Sequence, residues 1–207
     1  MKRFFDIFFS VLGLILVSPL MVWVCFRIKR EDGGPVIYGS QRVGRNGAMF
    51  KLFKFRSMVV NADKIGARST SDGDSRITKV GTWLRKTKFD ELPQLLNVLK
   101  GDMSFVGPRP EVKHFVDMFT SDEKRILSIR PGITDWASIV FSDEGAILKG
   151  AADADQTYME QIRPTKLLLQ KKYVDKNNFF VDLKILYYTF RAVVFKKSLD
   201  ANALLRS

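Results

Sequence analysis

Residues 7–26 form an apolar run interrupted only by Ser10, Gly13, Ser18 and Pro19. That is close to the ~20 residues a helix needs to cross a bilayer. Basic residues flank both ends, Lys2 and Arg3 before it and Arg27, Lys29 and Arg30 after it. A cleaved signal peptide fits the leading charges, but the run is long and no small-residue cleavage pattern follows. A spanning helix fits the length, whereas cations at both ends favour the same side for both. Pro19 removes a backbone donor in mid-run and predicts a bend there, with the Ser18 hydroxyl available to a freed carbonyl. A kinked span and a re-entrant helix broken at Ser18-Pro19 both stay open on these grounds.

Past residue 30 the pattern changes to that of a folded body. A polar, glycine-rich linker covers 31–35, and short strands are expected at 36–38 and 50–55, with Arg45-Asn46-Gly47 as the turn between them. On the second strand Phe53 and Phe55 should face one way, and Leu52, Lys54 and Arg56 the other. Residues 66–76 are almost wholly polar and read as a mobile surface loop. Helical spacing recurs at 77–85, 90–100, 111–119, 122–128 and 157–174. A last helix at 179–195 is dense in Phe, Tyr, Leu and Val, carries Lys184 and Arg191, and ends at Lys196-Lys197. It suits an amphipathic helix in the membrane interface, which the apolar run upstream favours over the core of a soluble domain. The expected fold is α+β: a small helix-rich cytosolic domain over 31–207 with a short β-hairpin, preceded by a membrane helix over 1–30.

Composition narrows the chemistry. The chain has 207 residues, 46% hydrophobic and 27% charged, enough for a packed core. Lys plus Arg number 34 against 22 acids, a net charge of +12 that favours anionic partners. RNA-binding signatures and recognition-helix patterns are missing, so no nucleic-acid partner is expected. One cysteine, Cys25, and one histidine, His114, leave no disulfide framework and no His-rich metal site. Acid, base or nucleophile must therefore come from carboxylates, with Lys and Arg beside them.

The richest stretch begins at Asp90-Glu91. Asp90 reads first as the N-cap of a helix that ends at Gly101, a role that can coexist with that of a nucleophile. A carboxylate at a helix N-terminus is held ionised by the dipole, and Glu91 adds a second carboxylate for acid/base work or for a divalent cation. In Gly107-Pro108-Arg109-Pro110, two prolines restrict the backbone around one arginine whose fork suits phosphate oxygens or a structural role. Lys51, Lys54 and Arg56, with Arg85, Lys86 and Lys88, form either a solvated face or a positive wall around a diphosphate. No phosphate-binding glycine loop is present.

The stretch DELPQLLNVLKGDMSFVGPRPE at 90–111 closely resembles the signature of the bacterial sugar transferase family. These are monotopic phosphoglycosyl transferases that initiate glycan assembly on undecaprenyl phosphate. Asp6, Ser18-Pro19, KLFKFRSM at 51–58, Arg130-Pro131-Gly132-Ile133-Thr134 and Val181-Asp182-Leu183-Lys184-Ile185 extend the similarity over nearly the whole chain. The resemblance implies a re-entrant membrane helix broken at Ser18-Pro19, lying with membrane lipids at the cytoplasmic face of a bacterial inner membrane. It also implies an enzyme that uses Mg²⁺, a UDP-sugar donor and an undecaprenyl phosphate acceptor. Asp90 would attack the sugar-bearing phosphorus, release UMP and meet the metal. Glu91 would assist proton removal or orient Asp90, and Lys54, Arg85 and Arg109 would lie near the phosphates. A homodimer is compatible with this. Residues 135–144 depart from the family pattern, which continues with Gly and later Asn-Gly-Arg, so nucleotide and sugar contacts of that loop do not carry over.

Overall fold

The computed structural model describes residues 1–65, 70, 73–195, 197 and 199–206. Helix α1 runs over Lys2–Asp32 with Pro19 inside it. Pro19 cannot donate to Ile15 four residues back, and the Ser18 hydroxyl donates to that carbonyl instead, at 2.8 Å. Gly33 closes the helix in the left-handed region at φ 71°. Phe4, Phe8, Ile15, Leu16, Val22 and Phe26 are among its exposed side chains, while Asp6, Ser10, Val24 and Ile28 are buried.

Two strands follow, β1 at Ile37–Val43 and β2 at Met49–Phe55, paired antiparallel from Ile37↔Phe55 to Val43↔Met49. Both are longer than the expected stretches, and a 3-10 turn at Arg45–Gly47 joins them where the turn was expected. The hairpin is covered on both faces. Phe55 packs with Val24, Ile28 and Leu84, and Leu52 packs with Val98 and Met103. Each such buried side chain contributes ~1.5–3 kcal/mol.

Next come α2 at Lys79–Thr87, capped by Thr78, and α3 at Gln94–Lys100, closed by Gly101 at φ 98°. The chain between them corrects the helix expected at 90–100. Lys88 takes a left-handed conformation at φ 59°, and Phe89–Glu91 form a 3-10 turn. Pro93 then occupies the cap position of α3 without a side-chain hydrogen bond, so Asp90 caps nothing.

A feature not expected from the sequence is a parallel pair, β3 at Ser104–Val106 against β4 at Gly132–Thr134. The helix expected at 111–119 shrinks to α4 at Lys113–Val116. Glu111 lies outside it, its carbonyl accepting from Val43 N at 3.0 Å. The stretch at 122–128 is a 3-10 helix, Glu123–Ser128. Short helices α5 (Trp136–Val140), α6 (Glu144–Ile147) and α7 (Ala154–Thr157) lead into a π turn at Tyr158–Ile162 and then α8 at Arg163–Lys176. The π turn comes just before Pro164, which cannot donate the next helical hydrogen bond.

Helix α9 spans Phe179–Phe195 as expected, and α10 covers Ala201–Arg206. Ile185 and Ala192 of α9 join Val106, Trp136, Leu169 and Tyr173 in the largest buried cluster. Phe180, Tyr187, Phe190, Val194 and Phe195 stay exposed. Within the polar loop expected at 66–76, residues 66–69, 71 and 72 lie outside the described residues, as does Lys196 after α9.

Gly107, just past β3, touches Gly132 at the start of β4. A Cβ on Gly132 would lie 2.1 Å from Gly107 N, a contact no side chain can take. Gly132→Ala is expected to cost at least about 1–3 kcal/mol, read as a lower midpoint in thermal unfolding.

Candidate active site

Four elements deliver the candidate residues. Lys54 comes from β2, Arg85 from the end of α2, Asp90 and Glu91 from the turn before α3, and Arg109 from the loop after β3. Asn97 of α3 sets the first of these. Its side chain accepts from Phe53 N at 2.9 Å and donates to Lys51 O at 2.7 Å, mimicking a neighbouring strand along β2. This places Lys54, between those two contacts and the strand end, beside the acidic turn.

Glu91 is the centre of the ion cluster. Arg109 grips it with both arms, Nη1 donating to Oε2 at 3.0 Å and Nη2 to Oε1. Lys54 Nζ donates to Oε1 at 2.8 Å. Asp90 is 7% exposed, and Lys54 Nζ lies 3.7 Å from its Oδ2. Among the described residues Asp90 accepts no side-chain or backbone hydrogen bond on its carboxylate. Arg85 is near enough to act on its charge.

The two acids therefore diverge. Burial pushes the Asp90 carboxyl above its usual range, and the charge of Glu91 adds to this against the pull of Lys54 and Arg85. This reverses the expectation of a carboxylate held ionised by a helix N-terminus. Burial also works against the charge on Glu91. There, attraction to Arg109 and Lys54 and their hydrogen bonds outweigh it and hold Glu91 well below the carboxylate range. Glu91 in turn favours the protonated form of the half-buried Arg109 guanidinium.

Arg109 is held from behind by residues the sequence did not single out for this role. Its N–H donates to Asp135 Oδ2 at 3.1 Å, and its side chain also reaches Ile133 O at 3.1 Å. Gln170 of α8 donates to Asp135 Oδ2 at 3.1 Å and to Arg109 O at 3.3 Å. The other oxygen of Asp135 caps α5, accepting from Ser138 N at 2.6 Å and Ser138 Oγ at 2.7 Å. Asp135 is fully buried. The one signal for it was its place in the stretch that departs from the family pattern, and Gln170 had none.

The other expected cations do not converge. Arg56 is buried against Asp32 at the end of α1, and Lys51, Lys86 and Lys88 are exposed. Ser18 and Pro19 act within α1 alone. Among the described residues no three His, Cys, Asp or Glu side chains gather as a metal cage. The donor set instead fits a cation held by one carboxylate together with substrate phosphates and water, as Mg²⁺ commonly is. Asp90 has the free oxygens, and those of Glu91 are taken.

Asp135→Ser separates its two tasks, because serine still caps α5 but cannot reach Arg109. The variant should fold, keep protection at the Ser138 amide and lose about tenfold or more hydrogen-exchange protection at the Arg109 amide. Pro108 and Pro110 have no amide proton, so the Arg109 signal is well isolated.

A family model described as bacterial sugar transferase matches residues 1–196. The UDP-N-acetylgalactosamine-undecaprenyl-phosphate N-acetylgalactosaminephosphotransferase of Aeromonas hydrophila is 40% identical, over 93% of this chain and 43% of its own length. The undecaprenyl-phosphate galactose phosphotransferase of Salmonella typhimurium is 38% identical, over 94% of this chain and 40% of its own. This chain thus spans about two fifths of the length of those two relatives. The exopolysaccharide production protein ExoY of Sinorhizobium fredii is 36% identical over 93% of this chain and 84% of its own length. The chain belongs to the bacterial sugar transferase family.

Proposed function

We propose that the chain is a transferase moving a sugar-1-phosphate from a UDP-sugar to undecaprenyl phosphate, the first membrane step of glycan assembly. The observation that carries this is the contrast within the acidic pair. Asp90 has free oxygens among Lys54, Arg85 and Arg109, while Glu91 is spent on holding two of those cations. Relatives named for undecaprenyl phosphate and for galactose or N-acetylgalactosamine support the acceptor and the class of sugar.

In the first step an Asp90 oxygen attacks the sugar-bearing phosphorus. A phosphorus–oxygen bond forms as the one to UMP breaks, and UMP leaves. In the second an oxygen of the lipid phosphate attacks the same phosphorus, the bond to Asp90 breaks, and a polyprenyl diphosphate sugar departs. Asp90 would hold Mg²⁺, which when bound would supply charge neutralisation at the phosphates. Lys54, Arg85 and Arg109 orient the phosphates and offset their charge, which is most of what phosphoryl transfer asks of a protein. Glu91, deprotonated and pinned, serves as the anchor of Lys54 and Arg109. A phosphate monoester has its second pKa near ~6 and attacks without a strong base.

The same reading makes α1 re-entrant at the cytoplasmic face of a bacterial inner membrane. Both of its ends are fastened to one body. Lys2 donates to Asp182 at 2.6 Å and to Val106 O at 2.9 Å. At the far end Glu31 accepts from Lys79 N at 2.8 Å, and Asp32 pairs with Arg56. A helix crossing the bilayer would part those ends by ~30 Å of hydrocarbon. The exposed apolar sides of α1 and α9 meet membrane lipids.

With undecaprenyl phosphate, Mg²⁺ and a panel of UDP-sugars, UMP release should fall by about a thousandfold or more in Asp90→Asn. It should stop when the metal is chelated, and wild-type rates in Asp90→Asn would rule out the nucleophile. The pH profile gives a second check. Since the Asp90 pKa is raised, its attacking form is lost, as pH falls, above the ordinary value of 3.8. Lys54→Met removes a cation that favours the ionised form, so the acid limb of kcat/KM should move to still higher pH.

A further inference from the structure

The hairpin face that carries Lys54 carries a second cation. Strand register pairs Tyr38 with Lys54 and Arg42 with Phe50. Opposed residues share a face and every second residue returns to it, so Tyr38, Ser40 and Arg42 lie on the side of Phe50, Leu52 and Lys54. Next to Arg42, Val43 N bonds to Glu111 O at 3.0 Å, stitching this end of β1 to the segment that bears Arg109. The charged and phenolic groups around the Arg42 side chain are Glu111, Arg109, Tyr38 and Tyr158.

Arg42 has no hydrogen-bond or ion-pair partner among the described residues. Its Nε is sealed from solvent without an acceptor, while its terminal nitrogens are not sealed. A guanidinium carries five donors and cannot shed its charge in a protein, so leaving it unsatisfied beside a second guanidinium is costly. Glu111 relieves it only through the charge it carries nearby, and bonds elsewhere. The Glu111 carboxylate is taken by Lys166 Nζ at 2.5 Å and by the Tyr158 hydroxyl at 2.9 Å, and no ion pair to Arg42 forms. Arg56, the other buried arginine of the hairpin, differs in having Asp32. An unpaired guanidinium on the wall of the site, next to Arg109, is a place built for an anion.

We propose that Arg42 is a further phosphate-binding residue of this site, closing with Arg109 on a phosphate group of a substrate. It rests on the function proposed above and adds a contact on the wall of the cleft away from Asp90. The phosphate it takes belongs either to the nucleotide donor or to the lipid acceptor.

Phenylglyoxal labelling of the full-length wild-type protein in detergent, mapped by mass spectrometry, tests this without any substitution. Calorimetry on the same sample reports whether each probe binds. Protection of Arg42 by UDP or inorganic pyrophosphate assigns it to the donor. Protection only by undecaprenyl phosphate vesicles, and not by matched vesicles lacking it, assigns it to the acceptor. A probe that binds while Arg42 labels at an unchanged rate overturns the Arg42 proposal and leaves the proposed function standing. Failure of every probe to bind the wild type overturns both. Arg42→Met should raise KM for that same substrate about ten- to hundredfold. Arg42→Lys, which keeps charge without the fork, should recover part of it. A variant that loses stability but keeps wild-type KM assigns Arg42 to the fold alone and overturns the proposal.

Discussion

Glu91 can stay charged inside the protein only because Arg109 and Lys54 close on it from two sides, and the whole site is arranged around that exchange of charge. A buried carboxylate with one partner removed would face most of its desolvation cost alone. With both in place, the pair of adjacent acids becomes unequal. One is locked as an anion by direct contacts, and the other sits in a protein-lined recess with lone pairs to spare. Asymmetry of this kind lets two neighbouring carboxylates do different work without competing for the same proton.

The fold serves that asymmetry by bringing distant stretches to one point and fixing each from behind. Asn97 bonds along β2 and sets Lys54. The left-handed Lys88 turns the chain out of α2 so that Asp90 faces inward. The contact between Gly107 and Gly132 leaves no room for side chains and aims the Pro108-Arg109-Pro110 loop. Asp135 and Gln170 then hold the backbone of Arg109 by both its N–H and its carbonyl. The bonds of Asn97, Asp135 and Gln170 are polar and directional and the other two fixings are set by the backbone, whereas the apolar clusters around Phe55, Leu52 and Tyr173 supply cohesion without setting angles.

How much of this the sequence shows depends on the range of the forces involved. The helix at Phe179–Phe195 and the hairpin with its Arg45–Gly47 turn were readable because neighbouring residues determine them. The grouping of Lys54, Arg85, Asp90, Glu91 and Arg109 was readable mainly through family resemblance. Asp90 as a helix cap was a sound local inference that failed, because Lys88 and Pro93 shift the helix start to Gln94. The β3–β4 pair is three residues per strand, too short for alternation to register. Asp135 is bonded to partners 26 and 35 residues away, a separation no local pattern encodes. The long N-terminal helix was plain as an apolar run, yet the partners of the acids that flank that run, Asp6, Glu31 and Asp32, were not.

One of those acids constrains how the protein is made. Asp6 is 5% exposed, and one of its oxygens accepts from Ser104 Oγ at 3.0 Å and from Phe105 N at 3.1 Å. Those donors are synthesised about a hundred residues after Asp6 itself. A nascent α1 that packed before they were made would bury a carboxylate with nothing to bond, at a cost of a few kcal/mol. The docking of α1 on the body can therefore be completed only when β3 has formed, so the first helix of the chain waits on residues made much later.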